Sequence, residues 1–465
     1  MVTLKKSHIT IVIAIVIISV IILFSFINFK KKPFRYEEIN VILIAIDTLR
    51  ADHLGCYGYN KQTSPHIDRL ARDSILFKKT MSQNPWTLPS FASLFSSLYP
   101  SQHLAGLSRK SLENQFVTLP EILKEHGYYT IAFTGGGYLS EPFGFSQGFD
   151  SFNAFNPPII NGIIPPETIH TDIKRVVKGA ISWLLKTKEK KKFFLFIHSY
   201  EPHSPYFPPS QYDYFFDGKY KGPITGDIWH DIGIIPGKLE SRFKALPQKD
   251  LRRLISLYDA EIRYMDDQIG KLLKTLKYLN LYDKSLIIFT SDHGEEFFDH
   301  GAWEHGHSLY NELLHVPLII KLPYSSKKEI ETCTIARLID ITPTILHVLG
   351  IKKEYFFQGQ SLLRSKEKRP GYAQSYPQPN LMAVQENNLK LIINLNNKEM
   401  ELYDLQSDPA ETKNIVSEKH FLTHNLIRYL SRYPLPTFSS DKLSPDEFKF
   451  SLSLKEKLRS LGYLR

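Results

Sequence analysis

Three uninterrupted apolar runs constrain this chain more than anything else in it, because each leads into residues able to bind a cation or move a proton. Asn40–Ile46 (NVILIAI) runs into Asp47, and Phe193–His198 (FFLFIH) is followed closely by Glu201-Pro202-His203. Ser285–Thr290 (SLIIFT) runs into Ser291-Asp292-His293. Runs this rich in β-branched and aromatic residues, without polar alternation, suit strands covered on both faces of a parallel sheet. Tyr128–Phe133 and Val316–Lys321 read as further strands. Helical patterns separate them: Ser64–Ser74 with Ser64 as cap and Pro65 in its first turn, Glu167–Lys186, Asp250–Leu279 and Leu338–Leu349. The expected class is therefore a doubly wound α/β fold. In such a sheet, residues distant in sequence meet at the C-terminal strand ends.

A second short stretch supplies a hydroxyl. In Asn84-Pro85-Trp86-Thr87-Leu88-Pro89-Ser90, Thr87 lies between two prolines. Proline fixes φ and disfavours helix at the residue before it, so Thr87 is expected at an irregular boundary, with a helix beginning just after it over Ser90–Leu98. That places the hydroxyl near the positive end of a helix, which suits an anion. Taken alone, the segment is an ordinary turn or cap. Its neighbours make it more.

Asp47, Asp292 and His293 form a donor set for one divalent cation (Ca, Mn or Zn), with Thr87 as a further contact and the nucleophile. His203 and the histidines of the stretch His300, His305 and His307 would steady an anionic transition state and protonate a leaving alkoxide. The chemistry is transfer of a tetrahedral oxyanion, sulfuryl or phosphoryl, through Thr87. Other polar groups read more plainly. Asp259, Glu261, Asp266 and Asp267 look like the solvated face of a long helix, and Gly135–Gly137 lacks phosphate-loop spacing. The aperiodic stretch Tyr206–Pro247 reads as an insertion over one face, a lid over substrate.

Ile9–Phe29 is almost wholly apolar and long enough to span a bilayer. It reads as an uncleaved single-pass anchor that attaches the protein to the cell membrane. Lysines flank both ends, leaving a slight bias towards a cytoplasmic C-terminus. The expected organisation is a flank over 1–8, the anchor over 9–29 and a basic linker over 30–38. A catalytic domain follows over 39–365, then a small subdomain of short strands with a helical tail over 366–465. A hairpin is expected from Leu389–Asn394 and Glu399–Leu405 around Asn396-Asn397. The net charge of +10 is spread in lysine patches without nucleic-acid motifs, so no nucleic-acid partner is expected. Cys56 and Cys333 are too few for a disulfide framework.

At these residues the sequence resembles the sulfatase family of the alkaline-phosphatase superfamily. The motifs are IDTLRADHLGCYGY (46–59), SPHIDRLA (64–71), NPWTLPSFASLFSSLYP (84–100), EPHSPY (201–206), TSDHGEEF (290–297), HGHSLYNELLHVPLII (305–320), DITPTILHVLG (340–350) and ELYDLQSDPAETKN (401–414). They stand in the family's order over nearly everything after residue 38. The resemblance implies a mixed, mostly parallel sheet with helices on both faces and a small C-terminal antiparallel subdomain. It also implies metal ligation by Asp47, Asp292 and His293, a nucleophile position at Thr87, and His203 against the transferring group. Either His305 or His307 would stand near the leaving group. A catalytic domain outside the cytoplasmic membrane is implied as well, against the charge bias.

Three departures stand out. Sulfatases carry Cys or Ser, oxidised to formylglycine, where this chain has Thr87; threonine cannot give that aldehyde. Phe91 replaces a basic residue, and Thr48 replaces the second of two adjacent aspartates. The Thr resembles the superfamily's membrane-anchored phosphoethanolamine and glycerophosphate transferases. The expected activity is hydrolysis of sulfate or phosphate esters, of glycan or lipid. A transferase and a catalytically silent binding protein are the alternatives.

Overall fold

The computed structural model describes residues 39–433, apart from 108, 157–171, 187–191, 214, 219, 234–242, 326–329, 333–334, 353–354, 365–368 and 376–379. The expected anchor, basic linker and C-terminal tail beyond 433 lie outside the described residues, as do Cys333 and the beginning of the helix expected from Glu167. Among the described residues, no helix is long and apolar enough to cross a membrane.

Eight strands form the main sheet in the order Ile330–Thr332, Ile75–Phe77, Leu318–Lys321, Ser285–Ser291, Asn40–Ile46, Phe193–Ser199, Tyr129–Thr134 and Ser151–Ala154. Leu318–Lys321 runs antiparallel to both neighbours, and the other pairings are parallel. The sheet is thus mixed and mostly parallel. Its central strand shows why the apolar runs are continuous. Ile42, Ile44 and Ile46 face one core layer and Val41, Leu43 and Ala45 the other, all fully buried. Helices Pro65–Arg72, Asp172–Lys186 and Gln248–Tyr278 contribute to the first layer. Thr87–Ser96, Leu119–Glu125 and Ile341–Val348 contribute to the second.

A four-stranded antiparallel sheet, Gly371–Ser375, Leu381–Glu386, Leu389–Asn394 and Met400–Asp404, follows, with helix His420–Leu430 packed on it. The expected hairpin is its third and fourth strands. Its first strand clips onto the segment leading to Thr87: Gln374 N donates to Gln83 O (3.0 Å), and Asn84 Nδ2 donates to Gln374 O (2.6 Å).

Three expectations change. The Leu338–Leu349 helix is a 3₁₀ turn, Leu338–Asp340, continued by Ile341–Val348. Ser64 occupies the cap position of its helix without capping it; its hydroxyl donates to Asp68 Oδ1 instead (2.9 Å). The third concerns the long helix, where Asp259, Glu261 and Asp266 are buried rather than solvated. Asp259 meets His53 Nδ1 (2.8 Å), Tyr59 Oη (2.8 Å) and Lys61 Nζ (2.7 Å). Glu261 accepts from Phe207 N, and Asp266 accepts from the amides of His66 and Ile67 at the start of Pro65–Arg72. Helix spacing alone placed these acids on one polar face; chain from elsewhere covers it.

Candidate active site

The register of the central strands assembles the site. Ile46 pairs with Ser199 on one side and Ser291 on the other, so the next residues, Asp47 and Asp292, leave the sheet side by side. Asp47 N extends the ladder by one bond to Ser199 O (3.0 Å). Thr48 then turns the chain with φ at 51°, a conformation that strains a β-branched residue. Its amide donates to Asp292 Oδ1 (3.3 Å), which also receives His293 N (2.8 Å).

Thr87 opens the helix Thr87–Ser96 rather than preceding it. The first-turn amides of a helix have no intrahelical partner, so Pro89 at the third position costs no hydrogen bond. Ser82 Oγ and Ser90 Oγ both donate to Asn84 O (2.8 and 2.6 Å) and fasten the preceding bend. The buried Thr87 hydroxyl lies 3.3 Å from Asp47 Oδ2 and 3.3 Å from His293 Nε2.

A carboxylate oxygen of each aspartate and a ring nitrogen of His293 lie within 4.8 Å of one another, all buried. These residues fit a divalent cation. Asp292 Oδ2 and Thr48 Oγ1 are buried without hydrogen-bond partners. Burial also pushes the Asp292 carboxyl well above its usual range, since two carboxylates in an apolar setting call for a positive partner. His293 is held well below its usual value by burial and by His305 and His203, which leaves it neutral, the form that ligates metal. Its Nδ1 is turned to Gly294 O (2.9 Å), so Nε2 faces the aspartates. A second grouping, His66, Asp266 and Asp267, is already committed to the helix start and to Arg263 and Tyr212.

The structure separates the two later histidines. His305 packs its ring 4.5 Å from His293 and 5.0 Å from His203, and its Nδ1 meets Glu295 Oε1 at 2.8 Å. His307 instead meets Glu296 Oε2 at 2.7 Å. Thr87, Asp47, Asp292, His293, His203 and His305 therefore form one cluster, while His307 meets Glu296 and His300 meets Glu312.

Two residues were missed in sequence. Glu295 orients His305, and its only signal was a pair of adjacent acids after Asp-His-Gly. His198 places Nε2 3.6 Å from Asp47 Oδ2, and its ring meets Phe91 edge-on at 5.1 Å. Phe91, where the family carries a basic residue, is buried among apolar side chains. The signal for His198 was a lone histidine closing an otherwise apolar strand.

Two carboxylates and an imidazole able to hold a cation, at the C-terminal edge of this sheet, suit the alkaline-phosphatase superfamily of ester hydrolases. More narrowly, the chain belongs to the sulfatase family, whose model matches residues 39–351. A second model, the C-terminal region of N-sulphoglucosamine sulphohydrolase, matches 298–432. The chain is 25% identical over 469 residues to N-acetylglucosamine-6-O-sulfatase of Bacteroides thetaiotaomicron, covering 82% of this chain and 83% of that protein. Its fold is similar to BT4656 in complex with its substrate D-glucosamine-2-N,6-O-disulfate (TM-score 0.70, 21% identity, 85% and 97% of the chains). It is also similar to the phosphonate monoester hydrolase of Agrobacterium radiobacter (TM-score 0.67, 20% identity, 85% and 96%).

Proposed function

We propose that this protein hydrolyses sulfate or phosphate esters of a glycan or lipid, using the Thr87 hydroxyl as its nucleophile. The observation that carries this reading is the position of Thr87 Oγ1, equidistant from Asp47 and His293 at the N-terminus of a buried helix. A divalent cation held by Asp47, Asp292 and His293 would lower the pKa of the hydroxyl and polarise the ester.

The residues divide the work. Thr87 Oγ1 passes its proton to Asp47 Oδ2, to which it donates, as it attacks the sulfur or phosphorus, and the bond to the ester oxygen breaks. Glu295 accepts the Nδ1 proton of His305, and the protonated ring, packed against those of His293 and His203, hands its Nε2 proton to the leaving oxygen. Water, giving one proton to His305 Nε2, then attacks the same centre, the bond to Thr87 breaks, and Thr87 Oγ1 takes its proton back from Asp47 as sulfate or phosphate departs. Glycan-directed relatives support a sulfated or phosphorylated glycan as substrate. Ile9–Phe29 supports attachment to the cell membrane, and the family likeness, against the bias of the flanking charges, supports a catalytic domain outside the cytoplasm.

Full-length protein in detergent, given Mn²⁺, Zn²⁺ or Ca²⁺, should be assayed on aryl sulfates, aryl phosphate monoesters and phosphodiesters, with mass spectrometry of the Thr87 peptide. Turnover that survives Thr87→Ala would sink the nucleophile. Label on Thr87 released only to an added alcohol acceptor would favour the transferase, which the threonine hydroxyl also supports. Failure on every ester would favour a binding role.

A further inference from the structure

We propose that the N-terminal edge of the eight-stranded sheet is a docking face for an anionic bilayer surface, holding the catalytic edge away from the lipid. Strand N-termini and the ends of the helices that feed them gather on the side opposite Asp47 and Asp292. Hydrogen bonds trace that edge from strand to strand. Tyr324 N donates to Asp283 O (2.7 Å) and Asn40 N to Lys284 O (3.2 Å). Phe193 N donates to Asn40 Oδ1 (3.2 Å), and Tyr129 N to Lys192 O (3.0 Å). Tyr355 Oη, donating to Glu125 (3.4 Å), brings Phe356 beside the helix that feeds Tyr129.

Among the described residues, ten large hydrophobic side chains are exposed, and five of them stand on this edge: Tyr129, Leu185, Tyr278, Tyr324 and Phe356. Tyr278 is 79% and Phe356 80% exposed. Single exposed hydrophobics are ordinary, but their gathering on one edge is not. Lys124, Lys186, Lys277 and Lys284 are exposed between them, with Lys192 half-buried. Their acidic neighbours are Asp73, Glu125, Asp150 and Asp283, with Asp150 paired to Lys124 (2.8 Å) and Asp73 accepting from Tyr282 Oη (3.1 Å). Tyrosine and leucine interleaved with an excess of lysine is the chemistry of a membrane–water interface over anionic headgroups.

The occupant follows from where the chain enters. Asn40 lies midway along the hydrogen-bonded row, and Lys30, Lys31, Lys32 and Arg35 precede it, directly after Ile9–Phe29. The proposal rests on that apolar segment being the anchor. Residues 30–38 span at most ~30 Å when fully extended. A domain of this size has a radius of gyration of roughly 22 Å. A tether of that reach enters the domain at this edge, so the aromatic and lysine side chains there are the first within reach of the lipid.

The test uses full-length protein in nanodiscs of phosphatidylcholine alone, in equal parts phosphatidylcholine and phosphatidylglycerol, and in detergent, read by amide hydrogen exchange. Peptides containing Tyr129, Tyr278 and Tyr324 should exchange roughly tenfold slower in the anionic discs than in detergent. The Thr87 peptide should not change. Lys277→Glu with Tyr278→Ser should remove most of the protection and leave turnover of a soluble aryl ester unaltered. Equal exchange in discs and detergent, or protection at the catalytic edge, would overturn the proposal. Protection appearing only with two chains per disc would assign the face to a second copy and also overturn it. Failure of the chain to float with vesicles would remove the anchor and the docking face together, whereas flotation without edge protection removes the docking face alone.

Discussion

Single atoms decide whether this site can work. Thr87 reaches Asp47 and His293 because Pro89 is tolerated in a helical first turn, which starts the helix at Thr87 rather than at Ser90. Gly294, directly after His293, admits nothing larger, since a Cβ there would lie 1.9 Å from Glu312 O. The residue expected to report most on mechanism is Glu295. Its carboxylate holds one tautomer of His305. Glu295→Gln keeps the shape but removes the charge, and kcat should fall about 10²-fold with a shifted pH–rate profile and little change in KM. Unchanged kcat would remove His305 from proton transfer. Thr87→Ala should lower kcat by about 10⁴-fold, the scale seen when a nucleophile is deleted, without loss of thermal stability beyond ~1 kcal/mol.

Among the elements, Gln248–Tyr278 does more than cover the sheet. Its acids clamp three separate stretches of chain: the turn around His53–Lys61, the start of Pro65–Arg72, and the insertion beginning at Phe207. Tyr212 bonds Asp267 (2.7 Å) and Tyr220 bonds Asp250 (2.7 Å), so the insertion is tied along the helix. Asp259 is the node, fully buried and meeting three partners. Asp259→Ala strands His53 and Lys61 beside an emptied polar cavity, and stability in urea should drop by about 3 kcal/mol. A loss below ~1 kcal/mol would show that the acid is as dispensable as the solvated residue its spacing resembles.

For the whole molecule, His300 links the main sheet to the C-terminal region. Its Nδ1 meets Glu312 Oε1 (2.6 Å), its Nε2 meets Glu411 O (3.1 Å), and its ring stacks on Tyr310 at 3.6 Å. Burial opposes its charge, yet the bond to Glu312 prevails and raises its pKa from 6.5 to about 9. A raised pKa means the folded protein holds the proton more tightly, so the contribution is complete below pH 6.5 and lost as pH rises to about 9. Solvent reaches part of the ring, so the effect should be of order 1 kcal/mol. Melting temperature should therefore fall over that interval in the native protein, and His300→Gln should flatten the dependence. A wild-type curve as flat as the variant's would deny the link.

What was legible in sequence follows from physical uniqueness. A strand buried on both faces must be apolar throughout, so Asn40–Ile46 was readable to the residue, and Phe193–Ser199 and Ser285–Ser291 to within one. The residues ending those strands had to share one edge, which is why Asp47, Asp292 and His293, with Thr87, were found together before any coordinates. Polar residues carry no such signature, because their surroundings depend on which distant segment covers them. Asp259 looks the same on a wet helix and under His53. His305 and His307 are two residues apart, yet one meets Glu295 and packs on His293 and His203 while the other meets Glu296. Only tertiary packing made those choices, since a histidine's role is set by the carboxylate it meets rather than by its place in the chain.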